Sequence, residues 1–342
     1  MTENPQRCAD AGTGLCDASP LLAGPVACQH EPRRRKARTM TVEIVRGVGP
    51  SGIDAAYERF GDPRLPPVLL VMGLGMQMLG WPDGFCSELV ARDLHVIRFD
   101  NRDVGLSTHL NDAPSPDVPA ALSGDTSTAS YTLSDMAADA VGLLDALEIE
   151  SAHVVGVSMG GMIAQTIAIE HPERVRSLTS IMSTTGDRAV GQGTPEAFGA
   201  LLSPPASTRE GAVDRAVAIF RAIGSPGFEF DEADLRERSA LMYDRADDPL
   251  GVGRQLLAIF ASGDRTARLG SVSAPTLVIH GASDPLIDVS GGRATAQAVA
   301  GAELVTIDGM GHDLPRALWP AIATRVAELV AVAEAGPTPV RD

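Results

Sequence analysis

The sequence has few cysteines, few aromatic residues and no long hydrophobic run. Only 4 of its 342 residues are cysteine, and Cys8, Cys16 and Cys28 fall within the first 40 at spacings that match no zinc-binding pattern. A disulfide framework is therefore not expected, and a reducing cytoplasm is the predicted location. No apolar run approaches the roughly 18 residues that a membrane-spanning helix requires, so no transmembrane segment is predicted.

An excess of positive charge is also lacking. The formal net charge is -16, which argues against a nucleic-acid partner, because binding to phosphates needs a basic surface. The hydrophobic fraction of 44% predicts a soluble protein with a large core. A chain of this length can hold one large α/β domain with an insertion, or two ordinary domains.

The two ends of the chain show no periodic pattern. Residues 1–40 are rich in proline, glycine and charge, and their basic run comes last, whereas a signal peptide carries its basic residues before an apolar stretch. A disordered tail is predicted there, and residues 336–342 are predicted to form a C-terminal tail. Regular patterning begins at Thr41, so Met40 is the expected true start.

From residue 41, short apolar runs typical of strands alternate with amphipathic helical segments. Strands are predicted at 42–46, 53–60, 68–72, 94–99, 152–157, 175–182, 276–280 and 303–307, the first two as an antiparallel hairpin; helices are predicted at 85–91, 133–147, around 292–299 and at 318–332. Residues 111–130 are expected to form a long polar loop. The alternation predicts an α/β fold with a mostly parallel twisted sheet covered by helices on both faces.

The alternation stops between residues 186 and 270. This stretch has helical segments at 212–222, 231–243 and 253–261 and no convincing strand. We predict a core of residues 41–185 and 271–335 and a helical cap of residues 186–270. The cap is expected above the carboxyl ends of the strands, where ligands bind in such sheets.

One motif stands at the end of a predicted buried strand. Residues 156–160 read Gly-Val-Ser-Met-Gly, the pattern that presents a serine hydroxyl on a sharp turn between a strand and a helix. Gly156, Gly160 and Gly161 leave room for the strained backbone that this turn imposes on Ser158. Ser158 is the predicted nucleophile.

A serine nucleophile needs a base and an orienting carboxylate, and both candidates follow predicted strands. His312 lies in a loop after the last strand, and Asp284 lies directly after strand 276–280, so both should reach the sheet edge that carries Ser158. Asp288 is the alternative carboxylate, although it is expected in the first turn of the next helix. The histidines within or beside strands are expected to be structural, and His109, in a loop, is the remaining candidate base.

The order Ser158, Asp284, His312 resembles that of the α/β-hydrolase family, over residues 41–335. Within that family, VMGLGMQMLGWPDGF, FDNRDVGLST and GVSMGGMIAQ are similar to bacterial esterases and lipases related to aclacinomycin methylesterase. The chain departs from the family pattern at Met72, where histidine is common, and at Asp103, where glycine is common. Negative charge develops on the substrate carbonyl oxygen during such a reaction, and this oxyanion needs two N–H donors. The backbone N–H of Met159, at the start of the helix that follows Ser158, is expected to be one, and the resemblance implies that of Leu74 as the second.

The expected activity is hydrolysis of a carboxylic ester through an acyl-enzyme intermediate, with no cofactor and no metal. The same three side chains could instead act on a thioester or a carbon–carbon bond, or form a peracid as cofactor-free haloperoxidases do, and a non-enzymatic ligand receptor on the same fold is a further alternative. A dinucleotide site is not expected, because the glycines near residue 74 lack the required spacing. Asp100 and Arg102 are interpreted as a structural ion pair or turn brace.

The expected partner is a small-molecule ester with an apolar group, because the predicted cap is rich in apolar residues at helical spacings. Met76, Trp81, Phe228 and Tyr243 are predicted to line its pocket. Nothing in the sequence indicates an oligomeric state.

Overall fold

The computed structural model describes residues 42–336, and its central feature is an eight-stranded sheet. The strands are β1 (Glu43–Val48), β2 (Ile53–Phe60), β3 (Pro67–Val71), β4 (His95–Phe99), β5 (Ala152–Val157), β6 (Val175–Ile181), β7 (Thr276–Gly281) and β8 (Glu303–Ile307). They lie in the order β1-β2-β4-β3-β5-β6-β7-β8. The first two form the predicted antiparallel hairpin, β2 runs antiparallel to β4, and every pair from β4 to β8 is parallel.

Burial along the strands follows their position in the sheet. All six residues of central β5 are buried, as its continuous apolar run predicts, whereas edge strands β1 and β8 are partly exposed along their length. The carboxyl ends of β3, β5, β7 and β8 therefore meet at one well-supported edge.

The helices are α1 (Asp83–Val90), α2 (Val118–Leu122), α3 (Leu133–Ala146), α4 (Met159–Glu170), α5 (Pro195–Leu201), α6 (Arg209–Ile223), α7 (Glu232–Arg245), α8 (Pro249–Ser262), α9 (Thr266–Leu269), α10 (Val289–Ala298) and α11 (Trp319–Glu334). Buried residues of α3 and α4 pack in one apolar cluster, and those of α1 and α11 pack in a second. The two clusters cover opposite faces of the sheet. In the described part of the chain no helix is long and apolar enough to cross a membrane.

Helices α5 to α9 lie between β6 and β7, and no strand interrupts them. We call residues 182–275 the helical insertion. The predicted boundaries of core and cap stay a prediction, because residues 42–336 fall within one compact unit. The predicted tails at residues 1–40 and 336–342 lie outside the described residues, apart from residue 336.

One prediction of secondary structure is wrong. Residues 111–130 are not entirely loop, since they contain the short helix α2. Asp117 caps this helix by accepting a hydrogen bond from the Ala120 N–H at 3.0 Å, and Pro119 occupies its first turn, where a missing N–H costs little. Its five residues are too few for a periodic pattern to be visible in the sequence.

Candidate active site

Ser158 lies in the turn between β5 and α4. Its φ of 56° and ψ of -122° are a strained conformation for a residue with a side chain. The turn is tight: a Cβ on Gly156 would stand 2.0 Å from the Gly160 carbonyl oxygen, and one on Gly160 would stand 2.1 Å from that of Val71. Only glycine fits at these two positions, as the sequence pattern predicts.

His312 connects Ser158 to Asp284. The His312 Nε2 atom is 3.0 Å from Ser158 Oγ, and its Nδ1 atom is 2.8 Å from Asp284 Oδ2. Because a carboxylate accepts, Nδ1 carries the proton and Nε2 is free to accept from the serine hydroxyl. The three predicted side chains, which are separated by 126 and 28 positions, thus form one hydrogen-bonded series.

The Asp284 carboxylate is buried and fixed by the backbone. Its Oδ1 atom accepts from the N–H groups of Leu286 and Ile287, each at 2.9 Å, which leaves Oδ2 for the imidazole. Asp288 instead caps α10, where its Oδ1 atom accepts from the Ser290 N–H at 2.9 Å. Hydrogen bonds from Ser290 lower the pKa of Asp288. The structure therefore brings Asp284, and not Asp288, to the imidazole.

Three other histidines, including the alternative candidate base His109, have partners away from Ser158. His153, on β5, is within 2.8 Å of Ser177 Oγ and 3.1 Å of a Glu334 carboxylate oxygen, and burial lowers its pKa to about 4. His280 lies under Asp284, with its Nε2 atom 2.8 Å from the Ile287 carbonyl oxygen. His109 lies 2.8 Å from Asp248 and 3.0 Å from the Gly105 carbonyl oxygen. None of these three imidazoles reaches the serine hydroxyl.

The two predicted oxyanion donors belong to segments that flank Ser158. Met159 is the first residue of α4, where a backbone N–H has no acceptor within the helix. Leu74 follows Gly73, whose position packs so close that an added Cβ would lie 3.2 Å from Ser158 Cβ. Among residues 42–336 the Leu74 N–H donates to no protein acceptor. Both groups are thus near the serine, and their role stays a prediction.

A cavity of about 1020 Å³ lies between this edge of the sheet and the helical insertion, and Ser158 and His312 open into it. Met76 and Tyr243 line it, as predicted. Four further methionines share this lining although the sequence did not predict them there, namely Met72, Met159, Met162 and Met182. Methionine side chains are apolar and unbranched, so they adapt readily to the shape of a ligand.

Two predicted lining residues are elsewhere. Trp81 is fully buried in the core, where it stacks on Phe85 with ring centroids 5.3 Å apart. A short 3-10 turn at Met78–Gly80 directs the chain inward at this point, so residue 81 faces the sheet. Phe228 packs against the same apolar cluster, and its neighbour Phe230 lines the cavity in its place.

Asp100 and Arg102 do not pair with each other, which corrects the prediction. Arg102 pairs with buried Asp139 of α3 at 2.6 Å, and Asp100 accepts from Arg245 of α7 at 2.8 Å. The reason is that each side chain has an oppositely charged partner on a different helix, Asp139 on α3 for Arg102 and Arg245 on α7 for Asp100. Both residues still brace the turn after β4, but each does so through a partner on a helix and not through the other.

One group of side chains has the composition of a metal site. Ligand atoms of Asp103, His109 and Asp248 lie within 4.8 Å of one another. However, Arg254 donates to both Asp103 oxygens, at 2.8 and 2.9 Å, and the Tyr131 hydroxyl donates to one of them at 2.7 Å. The guanidinium already supplies the positive charge that these carboxylates need, so the group is best described as a buried ion-pair network.

The structure combines a mostly parallel sheet with a serine on the turn after a central strand. That serine is hydrogen-bonded to an imidazole from the loop after the last strand. This combination defines the class of α/β hydrolases. The chain belongs to the α/β-hydrolase family, since the model of that family, described as alpha/beta hydrolase fold, matches residues 66–315. The predicted fold class is thereby confirmed.

Two relatives and one solved structure illustrate the similarity. Rhodomycin D methylesterase from Streptomyces peucetius is 32% identical over 291 residues, which are 79% of this chain and 92% of that protein. Poly(3-hydroxyalkanoate) depolymerase from Ectopseudomonas oleovorans is 30% identical over 256 residues, covering 74% and 80%. The crystal structure of the enol-lactonase from Burkholderia xenovorans LB400 has a TM-score of 0.64 at 23% identity and covers 84% and 100%. The predicted resemblance to bacterial esterases is confirmed, and ester hydrolysis is the class of reaction that the relatives support.

Proposed function

We propose that the protein hydrolyses carboxylic esters with Ser158 as nucleophile, His312 as general base and Asp284 as the group that orients the imidazole. The observation that carries this proposal is the unbroken series from Ser158 Oγ to His312 Nε2 at 3.0 Å and from His312 Nδ1 to Asp284 at 2.8 Å. It opens into a cavity large enough for a substrate. Binding alone would not require such an arrangement.

The first half of the reaction transfers the acyl group to the enzyme. Ser158 Oγ bonds to the ester carbonyl carbon while its proton moves to His312 Nε2. The N–H groups of Leu74 and Met159 hold the oxyanion, and each such donor contributes about 10²- to 10³-fold to turnover in comparable sites. The carbon–oxygen bond to the alcohol then breaks, and the alcohol leaves with the proton from His312.

The second half restores the enzyme. His312 takes a proton from water, whose oxygen attacks the acyl carbon, and the same N–H groups hold the second oxyanion. Collapse of this intermediate breaks the bond to Ser158 Oγ, which recovers its proton from His312, and the acid is released. Asp284 keeps the imidazole in the required tautomer in both halves.

The size of the cavity supports an ester with a bulky apolar group. At about 1020 Å³ it reaches the upper end of ordinary ligand pockets, which span about 300 to 1,000 Å³. The relatives named as a methylesterase and as a depolymerase suggest that a large group can lie on the acyl side of the bond. A cytoplasmic location remains a proposal from cysteine usage.

The test is labelling by a fluorophosphonate, followed by assays of p-nitrophenyl esters of increasing acyl length and of one thioester. We expect one label per molecule in the wild type and none in Ser158→Ala, with hydrolysis of the esters lost in that variant. Ser87→Ala, which changes an exposed hydroxyl on α1, is the control. Undiminished turnover by Ser158→Ala would rule out this mechanism, and turnover of the thioester alone would change the substrate class.

A further inference from the structure

The segment that carries Leu74 is held mainly by the helical insertion. We call residues 73–78 the oxyanion loop, and the name rests on the proposed function. Its first half is a β-turn in which the Met76 N–H donates to the Gly73 carbonyl oxygen at 3.2 Å. Leu74 and Gly75 are the central residues of that turn. A side chain that fixes the position of this turn therefore also fixes the position of the Leu74 N–H.

Gln255 of α8 contacts the backbone of the turn directly. Its Oε1 atom accepts from the Gly75 N–H at 2.8 Å, and its Nε2 atom donates to the Arg102 carbonyl oxygen at 2.7 Å. The side chain is fully buried, so water does not compete for either bond. Because both ends of the amide are engaged, its orientation is determined, and an oxygen faces the turn.

The turn has two available conformations, and Gln255 favours one of them. Gly75 has a φ of 67°, which is typical of the third residue of a type II turn, whereas the same position in a type I turn has a negative φ. In the type I form the peptide between Leu74 and Gly75 is reversed, whereas the Gly73–Leu74 peptide, which carries the Leu74 N–H, keeps its orientation. The Leu74 carbonyl oxygen would then replace the Gly75 N–H opposite Gln255 Oε1, and two acceptors would face each other.

The far end of the oxyanion loop is also tied to the insertion. The Gln77 amide donates to the Met242 carbonyl oxygen at 2.7 Å and accepts from Arg245 at 2.6 Å. Arg245 pairs with Asp100, which accepts from the Met78 N–H at 2.7 Å. Because these contacts already hold the second half of the loop, loss of Gln255 should disturb the first half alone.

We infer that Gln255 is a positioning residue for ester hydrolysis: by holding the Gly75 N–H it fixes the position of the turn, and with it the distance of the Leu74 N–H from the site of the oxyanion. The inference deepens the proposed function and depends on it. It implies that the helical insertion contributes to turnover as well as to the walls of the cavity. An oxyanion donor acts mainly in the transition state, so its displacement should lower kcat with little change in KM.

The first test replaces Gln255 by methionine, which keeps its length and removes both hydrogen bonds. We expect kcat to fall about 10- to 100-fold, since a displacement of about 1 Å can cost 10²-fold, while KM stays within about threefold. Gln165→Met is the matched control. Gln165 is equally buried and also makes side-chain hydrogen bonds, to Ser180 and Arg265, but its side chain hydrogen-bonds neither to the oxyanion loop nor to the three catalytic candidates.

The second test replaces Gln255 by glutamate. A protonated glutamate can accept from the Gly75 N–H and donate to the Arg102 carbonyl, as glutamine does, whereas an ionised one loses the donor and faces that carbonyl with negative charge. Burial raises the pKa of such a carboxyl. We therefore expect the ratio of kcat in Gln255→Glu to kcat in the wild type to rise as the pH falls. This readout decides the matter if Gln255→Met does not fold.

The outcomes separate the two levels of the proposal. If the wild type hydrolyses esters but Gln255→Met keeps kcat within about twofold, or if Gln165→Met loses as much, the inference is wrong and the proposed function stands. A pH-independent ratio for Gln255→Glu likewise overturns it. If the wild type is neither labelled nor active on esters, the proposed function itself is wrong.

Discussion

The carboxyl edge of the sheet and the helical insertion are built differently. At the edge, Ser158 comes directly after β5 and Asp284 three residues after β7, so buried strands set their positions. In the insertion, only Leu235 of α7 is buried, and several charged side chains of this helix form exposed or partly exposed ion pairs. Side chains at the ends of buried strands are held accurately in place, whereas the position of a helix with so little buried surface is less constrained.

The two regions nevertheless meet at polar contacts beside the site. The backbone N–H of His312 donates to the Ile223 carbonyl oxygen at the end of α6, at 2.7 Å. Ser225 accepts from the Gly311 N–H at 2.8 Å and donates to Asp313, whose pKa is raised by burial. The edge thus supplies the reacting groups, while the insertion shapes the cavity and supports two of the loops that carry those groups.

The largest expected effect separates two carboxylates at the edge. Asp284→Asn should lower kcat about 10⁴-fold, because an amide can hold the imidazole in the wrong tautomer. Asp288→Asn should stay within a few-fold, since Asp288 only caps α10. Steady-state kinetics on a short p-nitrophenyl ester measures both. A fall in kcat of only a few-fold in Asp284→Asn would show that Asp284 does not orient the imidazole.

The next prediction concerns the ion pair that joins the two regions. Asp103→Asn leaves the buried Arg254 guanidinium without its main counter-ion and should lower the free energy of unfolding by about 3 kcal/mol. Asparagine tolerates the positive φ of residue 103, so the variant isolates the charge. Asp62→Asn, which breaks an exposed pair with Arg64, is the control and should leave the midpoint of urea unfolding unchanged. Equal midpoints for all three proteins would mean that the buried pair does not stabilise the junction.

A smaller effect tests the sheet away from its catalytic edge. Burial lowers the pKa of His153 from 6.5 to about 4 in the folded protein. Below pH 6.5 the unfolded chain therefore binds a proton that the folded chain does not, and stability is lost as the pH falls towards 4. Between pH 7 and pH 5 the free energy of unfolding, measured with urea, should fall by about 2 kcal/mol less in His153→Gln than in the wild type.

That titration should leave the edge untouched. His153 is the second residue of β5 and Ser158 follows the end of that strand, so the two lie about 17 Å apart along it. We expect kcat per folded molecule to be the same in His153→Gln as in the wild type at each pH. A shift in the pH profile of kcat would mean that the sheet transmits this charge to the catalytic edge.

The smallest expected effect tests the role of the insertion in substrate choice. Tyr243→Ala removes a ring from the cavity wall and should raise KM about 10-fold for esters with bulky acyl groups, with little effect on acetate esters. Leu241→Ala, two residues earlier on α7, is the control because that side chain is 49% exposed and lies outside the cavity lining. A fall in kcat for every ester would instead assign Tyr243 to the chemistry.

The sequence predicts the edge much better than the insertion. Ser158, Asp284 and His312 could be placed because apolar strand patterns end just before each of them, and parallel strands bring their carboxyl ends together. Trp81 and Phe228 were wrongly assigned to the cavity, because apolar composition does not reveal which way a side chain points after a turn. Met76 and Tyr243 do lie in the cavity wall, and their contact with a substrate stays a prediction.

Contacts between distant segments left no signal in the sequence. Arg245 pairs with Asp100 across 145 positions, and Gln255 reaches Gly75 across 180. Neither position follows a periodic pattern, and a single glutamine or arginine on a helix is ordinarily a solvent-exposed residue. Only the three-dimensional arrangement of α7 and α8 over the loop after β3 identifies their partners.

The buried amide of Gln255 has a consequence for protein engineering. Grafting the segment between β6 and β7 from one relative onto another is an obvious route to new substrate preference. In this molecule such a graft would also replace Gln255 and Arg245, the side chains that hydrogen-bond to Gly75 and Gln77. A chimera that carries glutamine at position 255 and arginine at position 245 should therefore turn over faster than one that imports only the new cavity walls.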